Sequence, residues 1–259
     1  MAGRLDGKVL LISGATGMAA ATACLAAGEG ARLFVVSLNA EDCQALASRS
    51  GCQWLAGDLR QGGLAEAAVA RCVETFGRID ALYNVAGISG RSHGDGPLHE
   101  CTDEGWEVTL DANLTTMFRL SRAALRQMLA QPIAAGGLRG VILNMASVTA
   151  FSPRPDYFAT HAYAAAKGAI IALTKAMASF YAPHLVRVNA IAPGLVRTPM
   201  SQLAQSDDRI LELMRSKQPL SGTLIEPDDI ARVSVFLLSD DSRMMTGDVV
   251  TVDAGWSVS

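Results

Sequence analysis

The sequence predicts an α/β fold in a single domain, residues 1–259, built on a doubly wound parallel sheet of about seven strands with helices on both faces. Two observations lead to this prediction. Apolar blocks of strand length recur along the chain, and most are continuous rather than alternating, as expected for strands buried on both faces. Segments with helical patterning separate these blocks, and half of the 259 residues are hydrophobic, which suffices for one large core.

The predicted elements alternate along the chain. The first apolar block runs into a glycine turn, which is typical of a buried strand that leads into a helix. The last helical segment opens with Glu226, Pro227 and Asp228, a typical helix start. The strands are predicted at Val9 to Ile12, Leu33 to Val36, Gln53 to Leu55, Ala81 to Val85, Val141 to Met145, Val188 to Ile191 and Val249 to Val252, and the helices at residues 17–28, 40–49, 63–76, 103–131, 160–181 and 226–239.

Composition argues against several classes of protein. The net charge of −3 and the lack of a basic run make nucleic acid an unexpected partner. The segment from Val9 to Gly28 has no charged residue, but serine, threonine and glycine interrupt it between Ser13 and Gly17, so we expect no membrane span. The five cysteines are scattered, and no histidine stands at metal-ligand spacing. We therefore expect a cytoplasmic protein with reduced thiols and no metal.

Small and polar residues follow the first six predicted strands. Ligands of a doubly wound sheet bind beyond the carboxyl ends of its strands. We therefore expect one cleft to gather Ser13, Gly14 and Gly17, then Ser37, Asp58, Asn84 to Gly87, Ser147, Pro193 and Gly194.

The turn after the first strand has the chemistry of a dinucleotide site. Residues 13–19, Ser-Gly-Ala-Thr-Gly-Met-Ala, join a strand to a helix, so their amides and the helix amino terminus can hold a pyrophosphate. A tight turn without a ligand is the other interpretation. The second strand ends in Ser37, Leu38 and Asn39, which offer neither an acid for a ribose 2′-hydroxyl nor an arginine for a 2′-phosphate. Asp58 either hydrogen-bonds an adenine or serves as a cap or turn residue.

Tyr163 and Lys167 stand one helical turn apart and therefore share a helix face. The three alanines between them favour helix and are too small to block that face. A phenol has a pKa of about 10, and a nearby ammonium favours the phenolate. Lys167 is therefore expected to lower the pKa of Tyr163 and make it a working acid or base, although such a pair also occurs by chance on solvated helices.

Ordered motifs cover almost the whole chain, and through them it resembles the short-chain dehydrogenase/reductase family, whose fold is of the Rossmann type. The motifs are Leu5-Asp-Gly-Lys8, Asp58-Leu59, Asn84-Val-Ala-Gly87, Asp111-Ala-Asn113-Leu114, Asn144-Met-Ala-Ser147, Tyr163 to Lys167, Asn189-Ala-Ile-Ala-Pro-Gly194, Thr246-Gly247 and Val252-Asp-Ala-Gly-Trp256.

The resemblance implies an NAD(P)-dependent oxidoreductase that acts on a secondary alcohol or its ketone. It implies that Ser147 hydrogen-bonds the substrate oxygen, and that Tyr163 exchanges the hydroxyl proton. It further implies that Lys167 holds the ribose hydroxyls and that Asn113 binds a water in the proton relay. The cofactor is NAD(H) or NADP(H), and the lack of a guanidinium for a 2′-phosphate favours NAD(H). Its implied contacts are Ser13, Gly14, Thr16, Gly17, Met18, Ser37, Asp58, Leu59, Asn84, Ala86, Gly87, Tyr163, Lys167, Pro193, Gly194, Val196 and Thr198.

The chain departs from the family pattern at three places. Only Ala15 and Thr16 separate Gly14 from Gly17, one residue fewer than usual, and an alanine replaces the third glycine of the turn. Val85 replaces the second of two usual asparagines. Ser147 and Tyr163 are also further apart than usual, with the extra residues falling between Phe151 and His161, beside the substrate site.

Two other functions share many of these features. One is a 3-oxoacyl thioester reductase, whose acyl carrier protein partner requires a basic docking patch. The other is a non-catalytic dinucleotide-sensing or scaffold protein, which the intact set of Ser147, Tyr163, Lys167 and Asn113 argues against.

A homo-oligomer, by resemblance a tetramer, is also expected. Ala166, Ile170, Leu173 and Met177 form an apolar stripe that can face the sheet. The small residues Ala165, Ala169, Ala172, Ala176 and Ser179 form a second stripe that suits either a partner subunit or a neighbouring helix of the same chain.

Overall fold

A computed structural model describes residues 3–259, and within this range seven strands form one sheet in which every neighbouring pair is parallel. The strands are β1 Val9–Ser13, β2 Arg32–Ser37, β3 Gln53–Ala56, β4 Ala81–Asn84, β5 Gly140–Met145, β6 Val186–Pro193 and β7 Val249–Val252. Their order across the sheet is β3-β2-β1-β4-β5-β6-β7, so the direction of winding reverses between β1 and β4. The predicted parallel sheet is therefore confirmed.

Helices cover both faces of the sheet. They are α1 Gly17–Gly28, α2 Ala40–Ser50, α3 Leu64–Phe76, α4 Asp103–Leu110, α5 Thr116–Ala130, α6 His161–Tyr181, α7 Gln202–Gln205, α8 Asp208–Lys217 and α9 Pro227–Leu238. One buried cluster joins the sheet to α1, α2 and α9, and a second joins it to α3, α5 and α6. Across residues 3–259, the structure has no helix that is both long enough and apolar enough to cross a bilayer.

Two features differ from the sequence prediction. The helix expected at residues 103–131 is interrupted by a π-helical turn at Asp111–Thr115, which separates α4 from α5. Such turns often occur at functional sites, and this one contains Asn113. Helices α7 and α8 lie in a segment for which no helix was predicted. In α8, Ile210 and Met214 are buried, and Leu211 and Leu213 pack against the same cluster.

A chain of buried polar side chains ties the sheet to its helices. The Asn84 Nδ2 atom donates to the Ser121 Oγ atom of α5 and to the Asn144 Oδ1 atom of β5, both at 2.9 Å. Asn144 in turn donates through Nδ2 to the Thr174 Oγ1 atom of α6, also at 2.9 Å. Because these groups lie where water cannot satisfy them, each depends on its neighbour.

Replacing Thr174 with valine should destabilise the fold. The change keeps the shape of the side chain but leaves the buried Asn144 amide without its acceptor, which costs about 1–3 kcal/mol. Urea unfolding should show a lower midpoint with an unchanged m-value. The matched control is Thr75→Val, because the exposed Thr75 hydroxyl bonds only the Arg71 carbonyl of its own helix. Equal midpoints for the two variants would contradict this account of the polar chain.

Candidate active site

The β5 strand delivers Ser147 to the carboxyl edge of the sheet. The Ser147 hydroxyl is buried at the start of a short helical turn, residues 148–150. Its Oγ atom accepts a hydrogen bond from the Thr149 hydroxyl at 3.0 Å and one from the Thr149 amide at 3.3 Å. With Thr149 donating both of these bonds, the Ser147 proton is left for the Tyr163 hydroxyl or for a substrate oxygen. Sequence reasoning missed Thr149, because a threonine two residues after a serine gives no signal.

Lys167 lies deep in the site, with 3% of its surface exposed. Its Nζ atom donates to the Met145 carbonyl at 2.8 Å and lies 5.3 Å from the centre of the Tyr163 ring. Burial lowers the pKa of Lys167 to about 7, because the ammonium has lost most of its hydration. The two side chains therefore meet on one helix face, as predicted.

The pKa of Tyr163 moves in the opposite direction to the one expected from Lys167. Burial of the hydroxyl raises the pKa of Tyr163 to about 12, and its interaction with the Ser147 side chain only partly counteracts this. Lys167 is directed at the Met145 carbonyl, so in this structure the loss of hydration outweighs the attraction between ammonium and phenolate.

Asn113 presents a buried acceptor beside Lys167. Its Nδ2 atom donates to the carbonyls of Ile88 and Thr109, both at 2.9 Å. Its Oδ1 atom finds no hydrogen-bond partner among the residues that the structure describes. A Cβ atom on Gly87 would lie 2.3 Å from that oxygen and 3.8 Å from the Lys167 Nζ atom, so only glycine fits there. The Asn113 Oδ1 atom therefore lies close to both Gly87 and Lys167. It is a buried acceptor that a hydrogen-bond donor can still bind.

The glycine turn fits the pyrophosphate of a dinucleotide. Thr16 makes no side-chain cap at the start of α1, and the first turn of α1 has no acidic residue, so its amides are open to an anion. Gly17 has a φ of +51°, and a Cβ atom there would lie 3.0 Å from the Thr198 side chain. Gly14 also has a positive φ angle, so the shortened turn uses glycine at both positions where the backbone is left-handed. Thr198, expected at the nicotinamide end, lies directly against this turn.

Two predicted cofactor contacts have side chains that hold the sheet together. The Ser13 Oγ atom accepts hydrogen bonds from the amides of Val85 at 2.9 Å and Ala86 at 3.1 Å. The Asn84 side chain belongs to the buried polar chain. Both residues thus fix the turns that border the cleft, and their contact with a cofactor stays a prediction.

The residues expected to contact the adenosine lie beyond β2 and β3. The Gly57 amide donates to the Ser37 carbonyl at 2.8 Å, which brings the two strand ends together. Leu38 is 61% exposed at this edge. The Asp58 carboxylate pairs with Arg60 at 2.8 Å, and hydrogen bonding to Arg60 lowers the pKa of Asp58. Arg60, which sequence reasoning did not single out, therefore neutralises the charge of Asp58.

The segment after β6 is folded against a buried glutamine. The Gln218 Oε1 atom accepts from the Leu195 amide at 2.6 Å, and a Cβ atom on Gly194 would lie 2.4 Å from the same oxygen. Gln218 is fully buried, and its Nε2 atom donates to the Leu195 carbonyl at 3.2 Å and to the Thr223 carbonyl at 2.7 Å. Its role was also missed, because Leu195 lies 23 residues earlier in the chain. Of the predicted contacts in this segment, Pro193 and Val196 are buried, whereas Gly194 and Thr198 are partly exposed.

The inserted segment between Ser147 and α6 is anchored at several points. The Trp256 indole donates to the Ser152 carbonyl at 3.0 Å, and its ring meets that of Phe158 edge-on at 5.3 Å. The Arg91 guanidinium donates to the Tyr157 carbonyl, and Arg209 lies over the Tyr157 ring at 5.4 Å. Between this segment and the loop after β4 lies a cavity of about 410 Å³, whose lining includes Arg91, Asp95, Glu100, Pro155 and Tyr157.

The chain is similar to known proteins over nearly its whole length. The family described as enoyl-(acyl carrier protein) reductase matches residues 13–257. The D-threitol dehydrogenase of Mycolicibacterium smegmatis is 35% identical over 98% of this chain and 95% of its own length. The 3-oxoacyl-[acyl-carrier-protein] reductase FabG of Thermotoga maritima is 33% identical over 97% and 98%. The dehydrogenase/reductase SDR family member 6 of Aquarana catesbeiana is 31% identical over 99% and 100%.

These matches span nearly the whole chain. The chain is an oxidoreductase that uses a nicotinamide cofactor, and it belongs to the short-chain dehydrogenase/reductase family.

Proposed function

We propose that the protein interconverts a secondary alcohol and its ketone through Ser147, Tyr163, Lys167 and Asn113, with NAD(H) as the preferred cofactor. The observation that supports this most is the convergence at one edge of the sheet of a serine, a tyrosine that interacts with it, and a buried lysine. When bound, the nicotinamide supplies or accepts the hydride. The open amides of α1 and the glycine turn would hold its pyrophosphate, and Lys167 its ribose.

The side chains of the site handle the proton and the developing charge. Ser147 donates its hydrogen bond to the substrate oxygen, which is the position where negative charge develops during reduction. Tyr163 gives its proton to that oxygen in reduction and removes it in oxidation. Because burial disfavours the phenolate, Tyr163 is best suited to donate a proton, and a ribose-bound Lys167 ammonium would ease the reverse step. The open Asn113 Oδ1 atom would accept from a water that links the site to solvent.

A 3-oxoacyl thioester is the second candidate substrate. The FabG protein of Thermotoga maritima supports it, since that relative matches 97% of this chain. Activity towards an acetoacetyl thioester that exceeds activity towards simple ketones would favour this candidate.

Replacing Tyr163 with phenylalanine should nearly abolish turnover, because the change removes one hydroxyl and keeps the ring. The expected loss in kcat is about 10²–10⁴-fold, with the cofactor Kd almost unchanged. Absorbance of the reduced nicotinamide measures turnover, and fluorescence titration measures binding. The control is Tyr181→Phe at the far end of the same helix. A wild-type rate for Tyr163→Phe would rule out this mechanism.

Placing an aspartate at Ser37 should increase the preference for NAD over NADP about tenfold or more, because a carboxylate beside the ribose repels a 2′-phosphate. Titration of both cofactors against wild type and variant measures the ratio. Ser48→Asp adds the same charge on the exposed face of α2 and should leave the ratio unchanged. Much tighter binding of NADPH than NADH by the wild type would contradict the proposed preference.

We further propose that α6 contributes to a homo-oligomeric interface, with a tetramer as the expected assembly. Ala166, Ile170 and Met177 are buried towards the sheet. Most of the second stripe is uncovered by residues 3–259, because Ala165, Ala172, Ala176 and Ser179 are exposed and Ala169 is partly exposed. Small side chains on an open helix face allow a partner helix to approach closely.

Replacing Ala172 with glutamate should dissociate the oligomer, because an unpaired charge buried in a contact costs several kcal/mol. Light scattering at micromolar concentration should give a smaller mass, and activity should fall because the interface supports the helix that carries Tyr163. Ala70→Glu, at an exposed alanine of α3, is the matched control. A monomeric wild type, or an Ala172→Glu variant of unchanged mass, would argue against this interface.

A further inference from the structure

Asp95 binds the first turn of α6 from the loop between β4 and α4. Its Oδ1 atom accepts a hydrogen bond from the Ala162 amide at 2.9 Å, and its Oδ2 atom accepts one from the Tyr163 amide at 3.0 Å. The residue is 6% exposed, so water does not compete effectively for these bonds. One of the two amides that Asp95 holds therefore belongs to the proposed proton carrier.

Helix α6 has no side-chain cap of its own. Thr160 occupies the N-cap position but makes no side-chain bond to the first turn. The His161 amide donates to the Gly96 carbonyl at 3.2 Å, and the Ala164 amide donates to the Thr160 carbonyl at 3.0 Å. Together with the two bonds to Asp95, these contacts satisfy the amides that the start of a helix leaves free. The residue that caps α6 with its side chain is therefore not local but lies in a loop 67 residues earlier in the chain.

The loop that carries Asp95 is itself held in place. The Asp95 amide donates to the Gly90 carbonyl at 3.1 Å, which closes a tight turn. The Thr102 amide donates to the Gly94 carbonyl at 3.1 Å, and Thr102 caps the start of α4 through its hydroxyl. Asp95 is therefore a fixed point against which the first turn of α6 is set.

We propose that Asp95 is a positioning residue, whose carboxylate fixes the first turn of α6 and thereby aims the Tyr163 hydroxyl at the substrate. The inference rests on the proposed role of Tyr163 as the proton carrier. A small displacement of a reacting group lowers a rate steeply, whereas the loss of an ordinary helix cap lowers only stability. Kinetics and stability therefore separate a positioning role from simple capping.

The first experiment compares Asp95→Ala and Asp95→Asn with Asp80→Ala. Asp80 is a suitable control, because its carboxylate also accepts a backbone amide, that of Val9 at 3.0 Å, but at the opposite edge of the sheet. Asp95→Ala should lower kcat about 10- to 100-fold, with little change in the KM for the cofactor. Asp95→Asn should recover part of the loss, since its amide oxygen still accepts one of the bonds. Asp80→Ala should lose stability and keep its kcat.

Two kinetic results would overturn the proposal. One is a kcat for Asp95→Ala within about twofold of wild type, since no rate would then depend on the carboxylate. The other is a loss of kcat in Asp80→Ala as large as that in Asp95→Ala, since the effect would then follow general stability.

The second experiment does not depend on turnover. Hydrogen exchange followed by mass spectrometry should show faster exchange in peptides from the first turn of α6 in Asp95→Ala, and wild-type exchange there in Asp80→Ala. Unchanged exchange in Asp95→Ala would show that the carboxylate does not fix the first turn of α6, and this would overturn the proposal whatever the role of Tyr163. Retained turnover in Tyr163→Phe together with faster exchange in Asp95→Ala would instead overturn the proton-carrier proposal, and Asp95 would then be a cap without a catalytic consequence.

Discussion

Burial of the sheet on both faces is the constraint on which the rest of the structure depends. Strands that are covered by helices on either side have no room for charged or reactive side chains except at their ends. All seven strands run in the same direction, so the residues that follow them collect at one edge. Polar side chains within the core depend on partners of their own, as in the chain through Asn84, Asn144 and Thr174, where both Nδ2 groups donate to a buried oxygen.

The same burial sets the chemistry of the site. Lys167 and Tyr163 have both lost much of their contact with water, and their pKa values move so that each favours its neutral form. From the sequence alone, the Lys167 charge is expected to determine the pKa of Tyr163, because the spacing of the two residues shows that they are close but not that they have lost water. The structure adds the Met145 carbonyl, which holds the Lys167 ammonium, and the Thr149 hydroxyl, which orients Ser147.

The sequence was a good guide wherever a pattern is local. Continuous apolar blocks gave the strands to within one or two residues, and Tyr163 and Lys167 meet because their spacing matches one helical turn. Helix α8 was missed although its apolar residues, Ile210, Leu211, Leu213 and Met214, are spaced for one helix face, whereas the π-helical turn around Asn113 has no periodicity that marks it. Asp95 and Gln218 were missed for another reason: the amides that donate to their side chains are distant in the chain, and only the folded structure shows which amides these are.

The anchored insertion between Ser147 and α6 is a part of the chain that can change during evolution without a change in the sheet. A longer loop costs little chain entropy, because that cost grows only slowly with length. Trp256, Arg91 and Arg209 hold this segment from three separate parts of the chain, outside the strands. Mutations can therefore lengthen, shorten or reshape it while the sheet and the reacting groups stay as they are. If this segment borders the substrate, as its place between Ser147 and α6 predicts, a change confined to it would alter which substrate fits and leave the proposed chemistry unchanged.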